Sequence, residues 1–351
     1  MKRPTAKRPA ARKKGARRAS PVKRLLMIAA ALAAVVAAWT YWSLWAGSGP
    51  SSEAKTIVVQ QGASVSSVAE QLKSEGLIRA DPVTYRRFAR FLGAGDPVQA
   101  GEFEIPAGAS GARILDILQH GRPVQRMVTI PEGMPSVLVH ERLMRAPFLT
   151  GDVAVPEEGS VLPGTYSYRR NESRAAVVGR MQEAMRQELA RLWPRRSPNT
   201  VVSSPREAVI LASIVEKETG KASERPTIAG VYSNRVRIGM KLDADPTIIY
   251  PITRGRPLGR PIRRSEIDAV NGYNTYTRVG LPVGPIANPG RESIAAVLNP
   301  GQTQALYFVA DGTGGHIFSN TLQEHQRNHQ RWRQIREQRL REQSQAAPSQ
   351  R

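Results

Sequence analysis

Hydrophobic residues recur at helical spacing in the stretch around which the rest of the chain is organised, residues 205–219. The apolar positions that fall on one helical face are 208, 209, 211, 212 and 215. Ser204 before the stretch suits an N-cap, and Gly220 after it suits a helix stop. The pattern therefore predicts a helix over 205–219 that carries two carboxylates, Glu216 and Glu218, in its last turn.

Those two glutamates cannot both face one pocket. Each residue of an α-helix turns by about 100°, so side chains two positions apart point roughly 200° apart. We therefore expect one of Glu216 and Glu218 to face a site of chemistry and the other to face a structural partner.

A second apolar stretch, residues 25–45, contains no charged residue and is long enough to cross the hydrocarbon core of a membrane. Its aromatic residues gather at the far end, as in an interfacial belt. Residues 1–24 hold 11 Lys and Arg and no acid, so the positive-inside rule places the N-terminus in the cytoplasm. A cleaved signal peptide is the alternative, but this run is longer than a usual signal and lacks a small-residue cleavage site.

The charge distribution argues against a nucleic-acid-binding protein, and the cysteine content excludes disulfide and thiol chemistry. The net charge is +22, and 11 of the basic residues lie in residues 1–24. We interpret this tail as a topology signal and expect no nucleic-acid partner. The absence of cysteine excludes a disulfide framework, thiol chemistry and a cysteine metal site.

The predicted fold class is α+β: a single N-terminal transmembrane helix, a small LysM-like α+β module and a larger mixed α+β domain. The pattern indicates a basic cytoplasmic tail at 1–24, the transmembrane helix at 25–45, a flexible linker at 46–55, the module at 56–122, the larger domain at 123–330 and a charged tail at 331–351. We expect the last of these to begin as a helix and to end in disorder.

In the module, two strands around a helix pair are predicted. The run VVQQGASVSSVA at 58–69 resembles a LysM-type glycan-binding repeat. A plain α+β spacer without a ligand is the alternative.

Several separate motifs follow one another beyond residue 205. They are ASIVEKET at 212–219, ASER at 222–225, NR at 234–235, IGM at 238–240, DPT at 245–247, YNTY at 273–276, GLP at 280–282, FVADG at 308–312 and GGH at 314–316. In order and spacing they resemble the YceG-like endolytic murein transglycosylases, the MltG family. The resemblance is close over 205–330 and looser over 56–200. The chain departs from the family pattern at Gly164, where the family more often has an acidic residue. Any substrate contact that this acid makes is therefore altered here.

The resemblance implies that the chain cleaves the MurNAc–GlcNAc bond inside nascent peptidoglycan strands, leaves 1,6-anhydro-MurNAc ends and so limits strand length. In such a reaction the sugar's own C6 hydroxyl is the nucleophile. One carboxyl can therefore protonate the leaving oxygen and afterwards deprotonate that hydroxyl. The family's motif gives this role to Glu218, at the end of an apolar helix where partial burial would raise the carboxyl pKa.

The other acidic residues receive supporting roles. Glu216 is expected to be structural, paired with Arg225 or Arg235. It is also kept as a possible secondary acid, together with Glu224 and Asp243.

The expected substrate-binding residues are Asp245, Tyr273, Asn274 and Tyr276. Tyrosine rings and an amide suit the faces and hydroxyls of sugars; the alternatives are an Asp-Pro turn and a packed tyrosine-rich loop. No cofactor is expected, and no metal either, because His316 and His325 lack paired ligand spacing with acids.

The expected partners are peptidoglycan glycan strands, peptidoglycan synthases of the penicillin-binding class, and the membrane through one helix. The expected location is the bacterial inner membrane, with a single pass and the catalytic domain in the periplasm. Two alternatives stay open: a non-catalytic glycan-binding scaffold, and a lysozyme-like hydrolase, which needs a second carboxylate facing Glu218.

Overall fold

A computed structural model describes residues 21–346. Residues 1–20 of the predicted basic tail and residues 347–351 of the predicted charged tail lie outside the described residues. The chain forms two compact units, which divide between Val124 and Gln125.

The first unit begins with a long apolar helix, α1 (Pro21–Tyr41), which continues as a π-helical turn over Trp42–Ala46. The side chains of α1 are exposed almost throughout. The segment is long and apolar enough to cross a membrane, which is consistent with a single-pass membrane protein.

Two strands and three helices complete this unit. In chain order they are β1 (Lys55–Val59), α2 (Val65–Ser74), α3 (Pro82–Leu92), β2 (Gly101–Ile105) and α4 (Gly111–His120). The strands pair antiparallel, so that Ile57 lies opposite Phe103 and both side chains are buried. Each helix begins where a side-chain oxygen accepts a backbone N–H of the first turn, at Ser64, Asp81 and Ser110.

Trp45 joins the apolar helix to the core of the first unit. Trp42 is 65% exposed, whereas Trp45, one helical turn later, is 3% exposed. The centroid of the Trp45 ring lies 5.4 Å from that of Tyr85 and 5.5 Å from that of Phe88, both on α3. The end of α1 is therefore part of a packed core.

The segment predicted as a flexible linker is held against the loop before α4. The backbone N–H of Gly49 donates to the Gly108 carbonyl at 3.0 Å, and the Gly108 N–H donates to the Ser51 carbonyl at 2.7 Å. Those bonds anchor the middle of residues 46–55.

The second unit contains eight helices and four strands within its described residues. They are β3 (Arg126–Ile130), α5 (Ser136–Arg145), β4 (Gly164–Tyr168), α6 (Arg174–Leu192), α7 (Pro205–Glu218), α8 (Arg225–Arg237), α9 (Asp245–Thr253), α10 (Arg264–Ile267), α11 (Arg291–Leu298), β5 (Tyr307–Ala310), β6 (His316–Ser319) and α12 (Leu322–Ala346). Two antiparallel pairs form, β3 with β4 and β5 with β6.

Helix α7 is the centre of the second unit's core. Every residue from Ala208 to Val215 is buried, including the faces that an amphipathic surface helix would leave to water. Helices α8 and α11 pack against it. Ser204 caps its start by accepting the Glu207 N–H, as predicted. The last turn of α7 is therefore fixed in place.

The α+β class is confirmed, while the LysM-like character of the first unit stays a prediction. One segment differs from the sequence analysis. Asp245-Pro246 does not form an isolated turn but begins the nine-residue helix α9, with the proline in the first turn, where its missing N–H has no helical partner to lose. The final helix continues to Ala346, inside the tail expected to become disordered.

Trp45→Ala is expected to lower the free energy of unfolding of the first unit by about 3–5 kcal/mol, because it removes a buried aromatic ring and leaves a cavity. Trp42→Ala makes the same change at an exposed position, and we expect it to cost little. Hydrogen exchange of the β1 and β2 amides, measured on the full chain in detergent, reports both values. Equal effects of the two substitutions would contradict the place of Trp45 in the core.

Candidate active site

Glu218 is the last residue of α7, and its side chain lines a cleft of about 500 Å³. This is the size of a ligand pocket. The cleft takes its other residues from α8, the loop before α9, the first residue of α9, the 273–276 loop, β5 and α12. They are Tyr232, Arg235, Leu242, Asp243, Asp245, Tyr276, Tyr307, Phe308, Val309, Leu322, His325 and His329.

Burial raises the pKa of the Glu218 carboxyl to about 7. The hydroxyl of Tyr232, which donates a hydrogen bond to the carboxylate, lowers this pKa, and so does the positive charge of Arg235. The negative charge of Asp245 raises it further. Both protonation states are therefore well populated near neutral pH, as a group that gives and then takes a proton requires.

Asp245 and Tyr276 form a hydrogen-bonded pair in the same cleft. The Tyr276 hydroxyl donates to Asp245 Oδ1 at 2.6 Å. Burial and the neighbouring Asp245 carboxylate raise the pKa of Tyr276, which keeps this phenol protonated. Asp245 also occupies the first turn of α9, where a negative charge is favourable.

Two buried threonines hold these segments together. Thr247 Oγ1 lies 2.9 Å from Thr275 Oγ1, and the Ala244 N–H donates to Thr275 Oγ1 at 3.0 Å. The loop that carries Tyr276 is thereby fixed against the start of α9.

Arg235 is held at the side of the cleft by backbone carbonyls. Its Nε donates to the Leu306 carbonyl at 2.6 Å and its Nη1 to the Leu242 carbonyl at 2.7 Å. The same Nη1 lies 4.0 Å from Asp243 Oδ2. Asp243 has a φ of +45°, in the left-handed region that aspartate tolerates better than most residues, and burial raises its pKa.

His325 of α12 also lines the cleft. Its ring stacks on Tyr307 with centroids 5.2 Å apart. Its Nδ1 is buried and makes no hydrogen bond with any described residue. Burial, His329 and Arg235 lower the pKa of His325, so the ring is neutral at physiological pH.

Glu216 faces a different environment from Glu218. Its Oε1 accepts from Arg225 Nη2 at 3.1 Å, and its Oε2 accepts the Gly290 N–H at 2.9 Å. Its side chain is 5% exposed. The expected pairing with Arg225 is confirmed, and Glu216 lies outside the cleft because the two-residue step turns it away from Glu218.

Glu224 also has a structural environment. Its Oε1 accepts the His316 N–H at 3.0 Å and its Oε2 lies 2.7 Å from His316 Nδ1. The Thr219 hydroxyl donates to that same Oε2 at 3.4 Å. Glu224 thus ties the segment after α7 to β6, and it does not line the cleft.

The structure does not bring Tyr273 or Asn274 to the cleft. Asn274 is 0% exposed; its amide donates to the carbonyls of Ile267 and Ala269, and its Oδ1 accepts the Tyr276 N–H. The ring of Tyr273 packs against Tyr250 with centroids 4.8 Å apart.

Asn274 therefore shapes the loop that presents Tyr276 instead of contacting a ligand in the cleft. Gly164, where the sequence departs from the family pattern, begins β4 opposite Ile130 and does not line the cleft either.

Sequence reasoning missed several cleft residues. Tyr232 is not among the candidate residues of the sequence analysis, in which Arg235 is only one of two possible partners of Glu216. The three-residue step between them was a usable signal, because it places a hydroxyl and a guanidinium on one helical face. Tyr307 and His325 carried no such signal, since their neighbourhood is created by the contact of β5 with α12.

A metal site is not formed by the part of the chain that the structure describes. Within residues 21–346, no three His, Asp or Glu side chains converge as metal ligands would.

Glu218 should make folding stability depend on pH. The carboxyl pKa is about 7 in the folded chain, against about 4.3 in an unfolded one. Between these values the folded state retains a proton that the unfolded state loses. The stability that this proton provides is therefore complete below about pH 4.3 and is lost as the pH rises to about 7.

We accordingly expect Glu218→Gln, which does not ionise, to be more stable than the unchanged chain at pH 8 by on the order of 2–4 kcal/mol. At pH 4 the difference should nearly vanish. Urea unfolding at both pH values measures it, with Glu292→Gln, an exposed glutamate of α11, as the control. A difference that is the same at both pH values would contradict the raised pKa.

Comparison with known proteins gives one consistent family. The model of the YceG-like family matches residues 57–331. An endolytic murein transglycosylase of Streptococcus pneumoniae is 27% identical over an alignment 323 residues long, and the alignment covers 78% of this chain and 57% of that protein. An endolytic murein transglycosylase of Bacillus subtilis is 28% identical over an alignment 310 residues long, and the alignment covers 78% of this chain and 84% of that protein.

The chain thus spans little more than half the length of the pneumococcal relative. Among solved structures, a yceG-like protein from Listeria monocytogenes matches with 24% identity and a TM-score of 0.48, over 78% of this chain and 98% of that one. Because the family model covers more than half of the sequence, the chain belongs to the YceG-like family.

Proposed function

We propose that this protein is a membrane-anchored endolytic murein transglycosylase, which cleaves the MurNAc–GlcNAc bond within nascent peptidoglycan strands, leaves 1,6-anhydro-MurNAc ends and limits strand length. The observation that carries the proposal is the Glu218 carboxyl, which lines a ligand-sized cleft with a pKa of about 7. The relatives named as endolytic murein transglycosylases support the same substrate class.

Glu218 acts first as a general acid. It donates its proton to the glycosidic oxygen as the bond from that oxygen to MurNAc C1 breaks, so GlcNAc leaves as a neutral alcohol. Positive charge develops on C1 and the ring oxygen of MurNAc. The Glu218 carboxylate and the nearby charge of Asp245 stabilise it.

The same carboxylate then acts as the base. It takes the proton of the MurNAc C6 hydroxyl as the C6 oxygen bonds to C1, which closes the anhydro ring and restores the protonated acid. No water is consumed, and no second carboxylate is needed. A pKa near neutrality serves both steps, because a strong acid would not take the proton back.

Substrate binding is assigned to the groups that surround Glu218. Tyr276 and Asp245 offer a hydrogen-bonded pair to sugar hydroxyls, and the Tyr307–His325 stack offers an aromatic surface. Asn274 contributes by fixing the loop that carries Tyr276, and Tyr273 packs that loop against Tyr250 of α9.

A hydrolase is the second candidate, because Asp243 and Asp245 line the same cleft as Glu218. Either could activate a water or attack C1 while Glu218 protonates the leaving group. The two reactions differ in their products, since a hydrolase leaves reducing ends.

The cellular location of the enzyme and its partners are also proposed. Helix α1 is proposed to cross a bacterial inner membrane once, with the basic N-terminus in the cytoplasm and the second unit in the periplasm. Synthases of the penicillin-binding class are proposed partners, because nascent strands arise at that surface. Two antiparallel strands around a helix pair support a LysM-like, glycan-binding first unit.

The products of the full chain acting on purified glycan strands test the reaction. By mass spectrometry we expect anhydro-ended fragments from the unchanged chain and from Glu292→Gln, and none from Glu218→Gln, because glutamine can neither donate nor accept the proton. The loss should be at least about a hundredfold, as for other general acids and bases.

Reducing-end products would instead indicate a hydrolase, and Asp245→Asn and Asp243→Asn would then identify its second carboxylate. Strands left intact by the unchanged chain would favour a glycan-binding scaffold.

A further inference from the structure

The packed core of the first unit begins within about one helical turn of the end of the apolar helix. The large aromatic side chains Trp39 and Trp42 are exposed, as in an interfacial belt, and Trp45 is already buried in the core. Three residues of helix advance the chain by about 4.5 Å. The headgroup layer on each side of a bilayer is about 5–7 Å thick. The core around Trp45 therefore starts at the level of the lipid headgroups.

Helix α3 is the element that packs on Trp45 at that level, through Tyr85 and Phe88. The buried stripe of α3 consists of Tyr85 and Ala89. Positions 83, 87, 90 and 91 lie on the opposite side of the helix, at 100° per residue. One face of α3 thus holds the core, and the other faces away from it.

That outer face combines exposed apolar and basic side chains. Phe91 is 78% exposed, and Val83 is also exposed. The eleven residues of α3 include three arginines and no acid. A helix with a bulky apolar residue beside arginines and a buried opposite face has the composition of interfacial membrane helices.

We propose that the outer face of α3 binds the surface of anionic phospholipids, with Phe91 at the boundary of headgroups and acyl chains and Arg87 and Arg90 on lipid phosphates. The proposal rests on the membrane anchor of the proposed function. Arginine suits this position because its long apolar stem lies along the lipid while the guanidinium reaches the phosphate. Anionic lipids attract basic side chains within about a Debye length, about 8–10 Å, and one helix diameter of about 10 Å separates the outer face of α3 from the face that packs on Trp45.

Such a contact would hold the first unit against the bilayer at two points, α1 and α3. A single helix alone would leave the unit free to tilt.

The chain contains no cysteine, so a single introduced cysteine carries a label at a known place. An environment-sensitive fluorophore is attached to Phe91→Cys, Glu70→Cys or Ala33→Cys in the full chain, which is reconstituted in nanodiscs of phosphatidylglycerol. Glu70 is an exposed residue of α2, and Ala33 lies in the middle of α1.

We expect the label at position 91 to show blue-shifted emission, quenching by doxyl groups on the lipid and little quenching by aqueous iodide, whereas the label at position 70 behaves as in water. A label at position 91 that behaves like that at position 70, while the label at position 33 is in lipid, would overturn the proposal and favour a protein partner for this face. A label at position 33 in water would overturn the anchor itself.

The arginines are tested in the Phe91→Cys background. Arg87→Glu with Arg90→Glu should abolish the blue shift, and so should phosphatidylcholine nanodiscs, whereas Arg113→Glu, at an exposed position of α4, should leave it unchanged. Circular dichroism checks that each variant is folded. Emission that stays blue-shifted after both charge reversals would overturn the role of Arg87 and Arg90.

Discussion

The burial of one carboxyl at the end of α7 is the constraint on which the site depends. Residues Ala208 to Val215 are buried on every side, so α7 has little freedom to turn or slide. Its last residue, Glu218, is consequently held at the cleft, where loss of hydration raises the carboxyl pKa to about 7. The surrounding core supplies the stability that placing an acid there requires.

Two glutamates on one helical turn acquire different roles from their surroundings. The Glu216 carboxylate accepts hydrogen bonds from the Arg225 guanidinium and from the Gly290 N–H, which hold it in a buried position. The Glu218 carboxyl accepts a hydrogen bond from the Tyr232 hydroxyl and feels the charge of Arg235 without a hydrogen bond to it. The negative charge of Asp245 opposes its ionisation. The same side chain is thus a fixed structural anion at one position and a proton carrier two residues later. Glu224, held by His316, belongs with the structural group.

The parts of this account that sequence could predict are those set by local periodicity. The helix 205–219, its cap at Ser204 and the opposed directions of its glutamates follow from a repeat of 3.6 residues. The cleft could not be predicted in the same way, because Tyr232, Tyr307 and His325 meet Glu218 only through tertiary packing. Asn274 is predicted to contact substrate because it is a polar residue within a family motif. In the structure it is fully buried and donates hydrogen bonds to backbone carbonyls. A sequence motif identifies residues with a role in the site. Only the tertiary packing shows whether such a residue contacts a ligand or stabilises a loop.

The central claim is that Glu218 remains a proton donor near neutral pH. A pH titration of the carboxyl itself tests it most directly, through the carbon-13 chemical shift of labelled glutamate side chains, with the Glu218 signal assigned by its loss in Glu218→Gln. The account predicts a midpoint of about 7, because burial and the neighbouring charge of Asp245 raise the pKa of this carboxyl. A midpoint of about 4.3, the ordinary value for glutamate, would contradict it.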